Sequence, residues 1–158
     1  MSYVIPDEPT PTALNKYAVR PNAILLATML CGAWLAWPWY AFNAFAIGSP
    51  TRRRELAMCL AALFGTAILV EILLALMDFG VIVSPTALRI FALGIAAFKM
   101  GMAYWVSLVQ QRTFSVYEYY GGRIRSAAAV ITIGMYLRPI IMGLVDDPIW
   151  RIIISGGV

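Results

Sequence analysis

Histidine is absent from all 158 residues, and only 13% of the chain is charged. The first absence removes the side chain most often used as a general base, as a metal ligand and as an axial haem ligand. Cysteine occurs twice, as Cys31 and Cys59, too sparsely and at the wrong spacing for a thiolate metal site. No glycine-rich phosphate loop and no serine-nucleophile motif in a strand-turn-helix context is present, and Gly121-Gly122 alone reads as a turn. Neighbouring Asp146 and Asp147 would point in different directions on a helix and read as a solvated helix end before Pro148. No cofactor and no metal is therefore expected, and catalysis finds little support.

What the chain has instead is apolar residues, 61% of the total. That proportion lies outside soluble composition, and four apolar runs approach or exceed the roughly 20 residues that cross a hydrocarbon core. The sequence predicts an all-α integral membrane protein with about four transmembrane helices in a small antiparallel bundle. Expected spans are 23–45, 56–77, 86–109 and 126–145 within one domain, 23–145. The net charge of +4 belongs to residues flanking those runs, where it suits anionic head groups rather than nucleic acid. The lipid bilayer is the first expected partner. Cys31 and Cys59 would lie at different depths, roughly 20 Å apart, so no disulfide is expected between them.

Residues 1–22 are polar and rich in proline, with Pro6, Pro9, Pro11 and Pro21. They lack a basic n-region followed by an apolar h-region, so they read as an extended tail rather than a cleaved leader. The first apolar run continues to Ile47, long for one crossing, and Pro38 within Trp34–Tyr40 is the expected kink near a membrane exit. Ser84-Pro85 has the form of an N-cap followed by a first helical residue. The third helix is expected to run on past Val109 toward Tyr120, and residues 146–158 to form a short interfacial tail.

Basic residues set the expected topology. Arg52, Arg53 and Arg54 in one connection and Arg112, Arg123 and Arg125 in another fall on one side, read as cytoplasmic. Lys16, Arg20, Arg89 and Arg151 are then assigned to the opposite side, which puts both termini on the non-cytoplasmic face.

Three ionisable residues interrupt the spans: Glu71, Lys99 and Arg138. Such residues usually face a bundle interior or water. Two roles are open. Glu71 could bind or relay a cation while Lys99 and Arg138 set the field, or Glu71 could pair with Lys99 or Arg89 to orient two helices while Arg138 snorkels. Small residues four apart, Thr28 with Gly32, Ala61 with Gly65 and Ala97 with Gly101, fit close helix packing or association. Phe114, Tyr117 and Tyr120 share one helical face and are the candidate docking surface for a protein partner.

The leading functional expectation is a noncatalytic membrane protein acting by association. It would be an accessory or assembly subunit of a membrane complex, or an immunity-type binder, with a protein partner or a second copy. The alternatives are a small oligomeric ion or solute conduit using Glu71 and Lys99, and a lipid-modifying enzyme built around Arg112, Glu118 and Arg123.

Overall fold

A computed structural model describes Pro9 and residues 12–155. Among these the structure is all-helical, and two helices are long and apolar enough to cross a membrane. Six α-helices follow a short 3-10 turn at Ala13–Tyr17: α1 Pro21–Leu30, α2 Ala33–Ala46, α3 Arg52–Asp78, α4 Pro85–Tyr119, α5 Ala128–Leu144 and α6 Pro148–Ile154.

The two long helices, α3 and α4, form an antiparallel hairpin. At their turn Ser84 Oγ accepts from the Ala87 amide at 3.1 Å and Pro85 occupies the first turn, the arrangement the dipeptide implies. Leucine and alanine dominate α3, and Ala62, Thr66, Val70 and Leu73 make its buried edge. Of these, Thr66 returns its hydroxyl to the Ala62 carbonyl at 2.7 Å, which satisfies its own polar atom.

The first apolar run does not cross as one helix. It breaks at Cys31-Gly32 and folds back, so that α1 and α2 form a helical hairpin. The Val19 amide donates to Asn43 Oδ1 at 3.1 Å and the Thr12 amide to the Ala46 carbonyl at 3.2 Å, contacts that only a reversal of direction allows. Gly32 carries φ 109 and ψ 171, a region that is essentially closed to residues with a Cβ. Pro38, the expected kink, sits inside α2 without ending it. Ile24, Ala27, Ala36 and Tyr40 pack between the two arms and against Ala103 and Val106 of α4.

The reversal corrects the expected layout of charge. Lys16 and Arg20 lie at the same end of the fold as Arg52, Arg53 and Arg54, not opposite them. Arg112, Arg123 and Arg125 join this end, because the Arg125 amide donates to the Ala18 carbonyl at 2.9 Å and Arg20 pairs with Glu118 at 2.8 Å. Only Arg89 and Arg151 remain toward the far end. The described part of the N-terminal segment is also not an extended tail: Ala18 and Val19 are buried between α2 and the loop after α4.

α5 leaves the basic end and passes the tip of the α1–α2 hairpin. Gly134 is what permits the approach, since a Cβ there would stand 2.7 Å from Leu35 Cδ2 and 2.8 Å from Cys31 Sγ. The chain then turns at Asp146-Asp147 into α6, where Asp147 Oδ1 caps the Ile149 amide at 2.7 Å. Within the segment expected to form a short interfacial tail, α6 points inward, with Ile153 buried beside Val70, Leu73 and Ile95. Its C-terminal residues Ile153 and Ile154 share an apolar cavity of about 290 Å³ with Ala33 and Trp34 at the hairpin tip. The hairpin and α6 thus approach each other from opposite ends over the α3–α4 pair.

Substituting Gly32→Ala forces a side chain into this turn and is expected to destabilise the protein by about 1–3 kcal/mol. Thermal denaturation in detergent reads the loss, and an unchanged midpoint would contradict the turn assigned to Gly32.

Candidate functional site

Each of the three ionisable residues expected inside the apolar spans occupies a different environment, and they do not form one cluster. Lys99 is buried on α4 and faces α6. Its ammonium donates to the carbonyls of Ile152 and Ser155 at 2.8 Å each and to Ser155 Oγ at 3.4 Å. An ammonium has three protons, so these contacts use its full donor capacity. Two of these acceptors are carbonyls at the C-terminal end of α6, the end at which a helix dipole favours a cation, and the Ile152 carbonyl also accepts from Ser155 Oγ at 3.1 Å.

Arg138 plays the corresponding part at the hairpin tip. Its Nη1 donates to the Leu30 carbonyl at 3.1 Å, at the C-terminal end of α1. The tip is closed further by Trp34 Nε1 on the Cys31 carbonyl at 2.7 Å and by the Cys31 thiol on the Ile131 carbonyl at 3.4 Å. Both cysteines are free and buried.

Glu71 meets neither cation. It lies on the exposed outer face of α3, and the one ion pair among the described residues is Arg20–Glu118. Pairing of Glu71 with Lys99 or Arg89 is therefore not observed, because Lys99 turns inward to α6 while Glu71 turns outward. Its neighbours on that face are Phe64 and Ile68, 61% and 59% exposed, with Ile72 beside them. Exposed positions Ala57, Ala61, Phe64, Ile68, Glu71 and Ala75 follow one another at alternating spacings of four and three. That spacing is the seam geometry by which one helix receives another.

Phe114 and Tyr117, expected on an exposed docking stripe, face into the protein. Phe114 packs with Ala18, Ile47 and Tyr117, and the Tyr117 hydroxyl donates to the Arg123 and Asn15 carbonyls at 3.1 and 3.4 Å. These two aromatics hold the N-terminal segment and the loop after α4; only Tyr120 of the three is exposed. The group proposed for lipid chemistry is also dispersed. Glu118 is engaged by Arg20, Arg112 lines a cavity with Arg54, and Arg123 borders a different one beside Tyr120.

A polar cluster at the basic end was not anticipated. Glu55 is 0% exposed, and its Oε1 accepts from the hydroxyls of Ser49 and Thr51, the latter at 2.7 Å. Oε2 is buried with no hydrogen-bond partner among the described residues. Deeper in, Gln110 Nε2 donates to the Tyr40 carbonyl at 2.8 Å, and Asn43 Nδ2 to Gln110 Oε1 at 3.4 Å. Glu55 follows three arginines and so reads as a solvated first-turn acid; the hydroxyls at Ser49 and Thr51 were the available signal. No protein-family model, curated protein or solved structure matches the chain.

Replacing Lys99→Met removes the charged donor from the end of α6 and leaves the Ser155 hydroxyl on the Ile152 carbonyl. The expected result is a loss of about 1–3 kcal/mol and faster amide exchange in residues 148–155 than in α3. Hydrogen exchange by mass spectrometry measures both segments at once, and unaltered protection of α6 would refute the capping role.

Proposed function

We propose that the chain is an integral membrane protein that works by association, with the outer face of α3 receiving a transmembrane partner. In this reading α3, α4 and the shorter α5 cross the bilayer, while the α1–α2 hairpin and α6 enter from opposite sides without crossing. The 27 residues of α3 and 35 of α4 exceed what a hydrocarbon core of about 30 Å requires. Backbone that turns inside such a core needs burial in protein, which the tip at Cys31-Gly32 has.

The observation that carries the proposal is Glu71. It lies about 10 Å inside the C-terminal end of α3; a carboxylate at the centre of a lipid-facing helix costs roughly 2.5–3.5 kcal/mol, less toward its ends, and intramembrane ionisable residues ordinarily face protein or water. Here it stands in an apolar seam with small residues at Ala57, Ala61 and Ala75, a surface on which a second helix can come close. A partner helix with a cation or strong donor at matching depth would satisfy both features. This is the chemistry of an accessory or assembly subunit, or of an immunity-type binder. A conduit formed between copies of the chain is the second reading, since it too would cover Glu71.

Gathering of the basic residues at one end supports an orientation with that end in the cytoplasm, N-terminal segment included. It reverses the side assigned to Lys16 and Arg20 from the sequence. In a chain whose native cysteines are replaced by alanine, Leu14→Cys and Arg53→Cys are expected to react with an impermeant maleimide from the same side of sealed vesicles. Labelling from opposite sides would rule out this placement.

Purification in mild detergent with mass determination tests the association itself. The wild type is expected to carry a stoichiometric second chain or second copy, and Glu71→Gln to lose it while keeping its helical circular dichroism. A wild type that emerges alone and monomeric would defeat the proposal.

A further inference from the structure

Between α4, α6 and the end of α5 lies an open cavity of about 740 Å³. Its walls are apolar, from Leu88, Ala92 and Ala96 of α4, Leu73 of α3 and Met142 of α5. Among the described residues the only charged side chains that line it are three cations, Arg89, Lys99 and Arg151, and no carboxylate lines it. Nothing described above uses this space.

We infer that this groove binds one anionic phospholipid, with an acyl chain along α4 and the phosphate held by Arg89 and Arg151. The inference rests on the membrane placement proposed above but not on Glu71 or on any partner. Walls that are apolar apart from Ser155 and the three cations suit a hydrocarbon chain, and the surplus of positive charge at their border selects an anionic head.

The position of the head group follows from which cation has donors to spare. All three protons of Lys99 are engaged by the end of α6, so it contributes charge but no free hydrogen bond. Arg151 uses Nε on the Val145 carbonyl at 2.6 Å, which leaves its terminal nitrogens unassigned and draws the guanidinium toward the α5–α6 connection. Arg89 belongs to the early turns of α4, at that same far end of the fold, roughly 15 Å from Lys99 along the helix. Two guanidiniums near the head-group level present the fork geometry that matches phosphate oxygens. A chain entering from there descends past Ala92 and Ala96 toward Lys99. The small side chains of those two alanines leave the room that a larger residue would fill.

The test reconstitutes the full chain into phosphatidylcholine vesicles containing a trace of spin-labelled lipid and compares the immobilised fraction for three probes: phosphatidylglycerol, phosphatidylcholine and stearic acid. Phosphatidylglycerol is expected to be immobilised about tenfold in preference to phosphatidylcholine. The double variant Arg89→Gln with Arg151→Gln should bring the two lipids level, and Ala96→Phe should release both. Vesicle flotation and circular dichroism of each variant establish that it remains folded and inserted, so that failure of the membrane placement is read separately from failure of the lipid site. Equal immobilisation of the two phospholipids by the wild type would overturn the inference. So would a preference that survives loss of both arginines, or capture of stearic acid without phosphatidylglycerol.

Discussion

A carbonyl at the end of a helix must find a donor, and where water is excluded the donor has to come from the chain itself. The rest of this structure depends on how that requirement is met at two helix ends, one against the buried Lys99 and one more exposed at the hairpin tip. α1 stops at Leu30 beside the hairpin tip, and α6 stops at Ile154 beneath it. Arg138 serves the first and Lys99 the second. Without these cations each helix end would lose a charged donor, and the loss costs more at the buried Lys99 than at the exposed contact between Arg138 and Leu30. In this arrangement the interior charges are structural, and the one carboxylate of the apolar spans, Glu71, is released from pairing with them.

The basic end is organised differently, through a polar lattice that joins segments far apart in sequence. Asn43 links the N-terminal segment to α4 through Gln110, and Glu55 fixes the loop before α3 through Ser49 and Thr51. Tyr117 closes the same end by reaching carbonyls on both sides of the chain. Burial of so many amides and hydroxyls is tolerable because each supplies what its neighbour lacks; the Glu55 Oε2 atom is an exception. Hydrophobic contacts among Ala18, Ile47 and Phe114 exclude water around this lattice.

The helical class and the long helices α3 and α4 were legible in the sequence because they depend on local signals: an unbroken apolar run, and Ser84-Pro85 at a helix start. The hairpin was not. An apolar run of that length carries no periodicity that distinguishes a straight helix from one folded back, and proline drew attention away from Gly32, the residue whose backbone makes the reversal. Lys99 and Arg138 stood out as charges, but pairing charges with charges could not find their acceptors, which are backbone carbonyls presented by the tertiary fold. Phe114 and Tyr117 shared a helical face as expected, yet spacing alone does not say whether a face looks outward, and here the N-terminal segment covers it. The expected separation of Lys16 and Arg20 from Arg52–Arg54 had the same origin, since counting apolar runs gives the wrong end of the fold whenever a run returns to where it began.

The fit of α5 against the hairpin has a consequence for how the protein is made. Residues 21–46 leave the ribosome roughly a hundred residues before Gly134, but the glycine surface that receives their tip and the guanidinium that caps Leu30 both belong to α5. The nascent α1–α2 hairpin therefore has no complete seat of its own. It must wait until α5 emerges to close over it, and a ribosome that stalls before Gly134 leaves an unsealed turn for quality control to find.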